Sequence, residues 1–276
     1  KLFNYFLSRA WKNNNYGKTI LGTEKDVQSL EIADLENFHK NFYNNLNFCI
    51  AIAGNLSKNN FEEHYESNLL YLDDVEKSQQ KEQHELISIS STFREEINFK
   101  NIEFSRIYMA WSIPSLKKQK INIGFEILAS ILSVGRNSRL VKSLKEDKQI
   151  VQSIYVDVNS GELGGLLIIE ACCNDKNLKN VEEEINKVLE EVKSFKNLTL
   201  NELKKAINIV KSNYIFNLET STQLTAFFGN DLLWGRKNSI KDLDNYLDHW
   251  SYLNNFKEIV NYLSKDKFTL IVSKSK

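Results

Sequence analysis

Proline is almost missing from this chain: Pro114 is the single one in 276 residues. A Pro-rich spacer is therefore excluded. Cysteine is scarce too. Cys49, Cys172 and Cys173 are too few for a disulfide framework. Neighbours on a strand face opposite ways, so Cys172 and Cys173 are poor partners for each other. All three read as buried, reduced thiols, which favours a reducing, cytoplasmic compartment. Export stays open, because the first residue is Lys1 rather than Met and the chain opens inside a helix-like pattern. No apolar run approaches the ~18 residues a membrane-spanning helix needs, so no transmembrane segment is expected. Excess charge of one sign is also absent: 36 Lys+Arg meet 36 Asp+Glu. A nucleic-acid binder that works by neutralising phosphates needs a basic excess, and that class is excluded. Arginine itself is rare, with only 6 of the 36 basic residues.

Familiar catalytic motifs are missing as well. The four histidines, His39, His64, His84 and His249, include no pair at the spacing that brings two imidazoles to one helix face, in either His-Glu-x-x-His or His-x-x-Glu-His order. Glu62-Glu63-His64-Tyr65-Glu66 is the densest ligand-type cluster and reads as a solvated helix face. There is no Gly-x-Ser-x-Gly. Gly135-Arg136-Asn137-Ser138-Arg139 lacks the lysine of a phosphate loop and does not follow a strand. It reads as a glycine-initiated turn with Asn137 or Ser138 capping the next helix; its two arginines can also meet an anion there, though a solvated cap is favoured. Cys172-Cys173 sits in an apolar strand without a nearby base, so no nucleophile is expected. The aromatic C-terminal part, from Phe227 to Phe256, reads as helix-packing core.

What is present is an ordered series of elements. Residues 2–12 fit an amphipathic helix. Thr23-Glu24-Lys25-Asp26 is a capping arrangement, and Leu35, Phe38 and Phe42 repeat on one helical face. Residues 47–54 read as a buried strand and 58–70 as a helix. Residues 73–84 hold one apolar residue in twelve, too little burial to offset ordering, and this marks the domain boundary. Beyond it, strands are expected at 93–100 and 105–113 and helices at 117–134 and 137–147. A hairpin follows, 150–159 with 164–173, turning at Ser160–Leu163. Helices fill 176–264, the second opening with the capping box Thr199-Leu200-Asn201-Glu202, and a strand at 268–273 closes the chain. The order predicts an α+β layer: an antiparallel or mixed sheet with helices on one face.

Several of these segments together resemble the M16 metallopeptidases, the insulinase and pitrilysin-like family. The resemblance is carried by Tyr16-Gly17-Lys18-Thr19-Ile20-Leu21-Gly22-Thr23-Glu24, by Ile52-Ala53-Gly54-Asn55-Leu56 and by Tyr108-Met109-Ala110-Trp111-Ser112-Ile113-Pro114. Gly135-x-x-Ser138-Arg139-Leu140, the strand pair ending in Gly164-Gly165-Leu166-Leu167, and the helices from Val181 onward continue it. It spans nearly the whole chain. It implies residues 1–72 as the closing part of one M16 unit, 73–92 as a linker and 93–276 as a complete second unit. It also implies that zinc, its His-x-x-Glu-His and its distal Glu belong upstream of Lys1, leaving no catalytic or metal residue in this segment. The expected role is wall and partner surface of a chamber, made with a second half or subunit as a homo- or heterodimer, in which peptides or unfolded segments are hydrolysed. The alternative is a non-catalytic assembly subunit of the same family. A further expectation comes from a departure. Where the family carries Arg and Tyr seven residues apart, this chain has Lys145 and Gln152, and Tyr155 lies three residues late and is expected to point differently. Lys145, Gln152, Arg136 and Arg139 are the substrate-chamber candidates.

Overall fold

The computed structural model describes residues 1–12, 14–43, 49–55, 57, 86–195, 198–236 and 240–274. They divide into two compact units: residues 1–18, 85–213 and 238–276 form one, and residues 19–84 with 214–237 the other. The expected helix at 58–70, the sparse stretch 73–84, and His64 and His84 lie outside the described residues. Among the described residues no helix is long and apolar enough to cross a membrane.

The larger unit is built on five strands: β1 (Phe93–Phe99), β2 (Ser105–Ile113), β3 (Ser153–Ser160), β4 (Gly165–Cys173) and β5 (Lys267–Lys274). Their order is β1-β5-β2-β4-β3. Only β1 and β5 run parallel, Phe93 opposite Phe268; the other pairs are antiparallel. The sheet is therefore mixed, one of the two forms that the element order allows. β2 is largely apolar and takes the centre, where both of its faces are covered. Ile107, Tyr108, Met109, Ala110 and Trp111 are all buried. Strands covered on both sides read as continuous apolar runs rather than alternating ones. β1, at an edge, alternates instead, with Arg94, Glu96 and Asn98 exposed.

One face packs on helices. α4 (Gln119–Ser133) buries a run from Asn122 to Leu132, and α5 (Leu178–Lys193) buries Val181, Ile185, Val188, Leu189 and Val192 at helical spacing. Trp250 and Phe256, on the short helices α8 (Leu243–Trp250) and α9 (Leu253–Val260), are fully buried beside them, and the Trp250 ring N–H donates to the Lys120 carbonyl at 2.7 Å. The opposite face is not bare, contrary to the expectation of helices on one side only. Helix α1 (Leu2–Ala10) lies there. Phe6, Ala10 and Trp11 join Tyr108, Ala110, Leu166, Ile168, Phe268 and Leu270 in one buried cluster, with Phe6 stacked on Tyr108 at 5.0 Å. These two faces have too much apolar surface for water, and the amphipathic stripe of α1 supplies cover.

The second unit holds α2 (Glu24–Gln28), α3 (Ile32–Phe42) and α7 (Ser221–Leu233). Thr23 caps α2 as expected: its hydroxyl accepts from the Asp26 amide at 3.2 Å and the Asp26 carboxylate accepts from the Thr23 amide at 2.8 Å. Three expectations fail, the last of them also at Tyr252 of the larger unit. Residues 49–54 form no strand: they have no ladder partner among the described residues, and Ile50 and Ile52 are exposed. Cys49 is exposed too, its thiol directed at the Gly229 carbonyl, whereas Cys172 and Cys173 are buried as anticipated. Phe228 and Tyr252 are likewise exposed rather than core.

At the hairpin, Gly165 opens β4. A Cβ there would sit 2.7 Å from the Asn159 carbonyl oxygen and 2.9 Å from the Ser160 Cα. Both are backbone atoms that cannot turn aside. Gly165→Ala is therefore expected to lower stability by about 1–3 kcal/mol, the usual cost of overpacking. A lower urea midpoint at unchanged slope would show it; an unchanged midpoint would mean the hairpin opens without cost.

Candidate functional site

The Gly135–Asp147 segment decides where its cations stand. After α4 the chain reverses at Gly135, whose φ of +85° suits a residue without Cβ. Ser138 then closes the turn: its amide and hydroxyl both donate to the Gly135 carbonyl, the hydroxyl at 2.6 Å. Neither Asn137 nor Ser138 caps the next helix through its side chain, because that hydroxyl is spent on the turn. The helix itself widens into a π-helical stretch at Val141–Asp147. Such stretches are uncommon and need support from outside. Here Glu184 of α5 provides it. Its carboxylate accepts from the Ser143 hydroxyl at 2.6 Å and is ion-paired with Lys148, so one residue within the stretch and one just past it are tied to one buried group. Burial pushes the Glu184 carboxyl up, but the bonds from Lys148 and Ser143 outweigh it and hold the pKa below the usual carboxylate value.

Between this stretch and β3 lies an open cleft of about 290 Å³, lined by Arg136, Lys145, Glu146 and Tyr155 with Ser133 and Ser153 among its other walls. Ser133 fixes it to the sheet, since its hydroxyl accepts from the Val156 amide at 3.0 Å. Of the four chamber candidates, two line this cleft, Arg136 and Lys145. Arg139 faces elsewhere: it is held by Glu202 of helix α6 (Leu200–Phe216) in a two-pronged ion pair at 2.7 and 2.9 Å and is mostly buried. Thr199 caps α6 as expected, its hydroxyl accepting from the Glu202 amide, but the Glu202 side chain serves Arg139 instead of returning to the cap. Gln152 is exposed just before β3, its backbone N–H donating to the Cys172 carbonyl at 2.7 Å. Tyr155, expected to point differently, lines the same cleft as Lys145. The intervening Gln149 has a φ of +52°, so the residues between do not advance along a regular element, and counting positions misplaces the phenol.

A second polar group went unforeseen. Glu170 on β4 meets Arg106 and accepts from the Tyr108 hydroxyl at 3.0 Å. Burial, with the Glu170 charge beside it, keeps that phenol protonated far above its ordinary range. In the ladder Tyr108 and Tyr155 both stand opposite Glu170, on either side of β4. The signal lay in strand pairing, which single-strand periodicity does not contain. As for nucleophiles, burial pushes the Cys173 thiol up to about 12, and the thiolate is the reactive form.

The larger part of this chain, residues 29–210, matches the family model described as the peptidase M16 inactive domain. The chain belongs to the M16 peptidase family. Among curated proteins it is 26% identical over 274 residues to the Bacillus subtilis protein named "Uncharacterized zinc protease YmxG", covering 95% of this chain and 62% of that one. Among solved structures it resembles a protease from Helicobacter pylori, with a TM-score of 0.81 at 18% identity over 98% of this chain and 66% of the other. It also resembles a chain of Complex III2 from Candida albicans, with a TM-score of 0.78 at 17% identity, covering 98% and 66%. The chain thus spans less than two thirds of these relatives.

For an M16 chain the obvious question is whether its residues fit a zinc ion. Among the described residues no three His, Cys, Asp or Glu side chains gather where they could hold one. His39 stacks on Tyr43 in an exposed helix, and His249 lies against Trp250 with Asn255 donating toward its ring. Neither belongs to a group of three potential ligands among the described residues. The described residues do not fit the metal, and no hydrolytic step is derived from them.

The Glu184 tie can be tested by pH. Its folded pKa is depressed, so its contribution is complete above the unfolded value near 4.5 and is lost as pH falls through the lower folded value. Glu184→Gln should be less stable than the wild type by about 1–3 kcal/mol near neutrality, because Lys148 and Ser143 lose their charged acceptor. That gap should begin to shrink in denaturation curves recorded below about pH 4.5 and close as pH falls through the lower folded value. A gap independent of pH would place the tie's strength in packing rather than charge.

Proposed function

We propose that this chain is the wall-forming part of an M16 zinc metallopeptidase that binds extended peptides or unfolded segments in a chamber completed by a second half or subunit. The observation that carries the reading is the match of residues 29–210 to the M16 inactive domain. Two curated relatives named as zinc proteases support a parent with bound zinc, whose ligands and general base lie outside these residues. In this reading residues 1–72 close a first unit, 73–92 link, and 93–276 form the second. Lys145 and Arg136 face the peptide, Gln152 lies beside its path, and Arg139 braces the wall through Glu202. β3 is an edge strand, but the Val156 amide is already taken by Ser133, so a peptide here is held by side chains more than by an unbroken added strand. Two buried thiols suit a reducing compartment.

A second reading, a non-catalytic assembly subunit, is favoured by the likeness to a Complex III2 chain. The discriminating measurement is zinc content and peptide hydrolysis of the parent protein. Stoichiometric zinc with turnover supports the peptidase, and zinc-free, inactive protein in a stable assembly supports the subunit.

For the chain alone, metal analysis after dialysis should find zinc well below one per molecule and no peptide hydrolysis. Lys145→Ala and Gln152→Ala should each weaken binding of an unstructured peptide by about 2- to 5-fold, the scale of exposed polar contacts. Stoichiometric zinc, or unchanged affinity in both variants, would refute this arrangement.

A further inference from the structure

Arginine use in this chain is nearly uniform. Arg9 pairs with Glu95 at 2.7 Å, Arg94 with Glu182 at 2.9 Å, Arg139 with Glu202 at 2.7 Å and Arg236 with Asp231 at 2.8 Å, and Arg106 meets Glu170. That accounts for five of the six arginines. Arg136 is the exception: among the described residues no carboxylate stands within ion-pair distance of it. It is also exposed, and it lines the cleft beside the π-helical stretch. Lys145 lines the same cleft and has no ion pair among the described residues either. Glu146 is the one carboxylate in the lining, so the cleft keeps a net positive charge.

We propose that this cleft is a subsite for an acidic side chain of a bound peptide, with Arg136 as the residue that selects it. The inference rests on the peptide-binding reading above and adds a substrate class to it. A guanidinium presents a planar fork that matches a carboxylate with two parallel bonds, and Lys145 adds a second, compact charge to the same lining. At about 290 Å³ the volume suits one side chain rather than a free-standing ligand. Tyr155, 63% exposed, also lines the cleft. The walls are set in advance. Gly135 and Ser138 fix the turn that carries Arg136, Glu184 fixes the stretch that carries Lys145, and Ser133 joins the cleft to β3. Preset geometry lowers the ordering cost of binding, so a single charge match is expressed as selectivity.

The test uses the purified 276-residue chain and three labelled nonapeptides, identical except for a central Glu, Gln or Lys, followed by fluorescence anisotropy. The Glu peptide should bind about tenfold more tightly than the Gln peptide, as expected for a charge-assisted, two-pronged contact, and the Lys peptide should bind most weakly. The Glu advantage should shrink as salt is raised. Arg136→Gln should abolish most of it, Arg136→Lys should restore part of it, and thermal melting of both variants should match the wild type. Equal affinity for all three peptides, or an advantage that survives Arg136→Gln, would overturn this inference while leaving peptide binding intact. No binding of any of the three would overturn the peptide-binding reading along with it.

Discussion

Burial of one strand on both faces is the constraint from which the rest of the larger unit follows. β2 buries Ile107, Tyr108, Met109, Ala110 and Trp111 in succession. Each large apolar side chain so removed from water contributes ~1.5–3 kcal/mol, which no exposed edge position could supply. The strand must therefore lie between two others and beneath two layers. α4 and α5 provide one layer, and α1 part of the other. The polar groups that β2 carries into this setting then need partners. Ser112 accepts from the Ile89 amide at 2.6 Å, Tyr108 donates to Glu170, and Ser105 meets Asp175. The Arg106–Glu170–Tyr108 group is thus a consequence of where β2 sits, since a buried phenol without a partner would be costly.

A similar dependence runs through Glu184. It faces inward from α5 at the level where the chain leaves α4 and returns as β3. A π-helical stretch gains little from its own hydrogen bonds, so its persistence here is owed to the carboxylate that holds Ser143 and Lys148. Because Lys145 lies between those two anchors, its position is set by packing remote from the cleft it lines. The site is therefore as rigid as the helix layer behind it, although its own side chains are exposed.

The strands of the sheet, the β3–β4 hairpin and most helices were legible in the residues, for identifiable reasons; the order β1-β5-β2-β4-β3 was not, because it depends on pairings distant in sequence. β2 and β4 are long apolar runs, β1 alternates, and α5 repeats its buried positions every three or four residues. Thr23 and Thr199 announced their helices. Other features were hidden because they depend on partners distant in sequence. An apolar run such as Ile50-Ala51-Ile52 reads as a strand, but a strand needs a ladder, and composition does not say whether one is offered. Ser138 looks like a cap until the turn at Gly135 claims its hydroxyl. Of the cleft, the cations Arg136 and Lys145 were visible as candidates. The joining of Tyr155 to them was not, because it needs the backbone path through Gln149 and the register of β3 on β4.

Equal numbers of acidic and basic residues do not make a chain electrostatically featureless, because neutrality is only a sum. Exposed charges act over roughly 8 Å at physiological salt, so a cleft feels its own lining and not the total. Where arginine is rare and nearly every copy is held by a carboxylate, pairing removes most of the long-range field and leaves what is unpaired to stand out. Arg136 and Lys145 then dominate their surroundings, not because the protein is basic but because its other arginines are neutralised in place. A wall built this way can be selective without being strongly charged. On the proposed reading it discriminates through a few fixed groups, and it leaves the rest of a long, variable segment to be accommodated by an otherwise neutral surface.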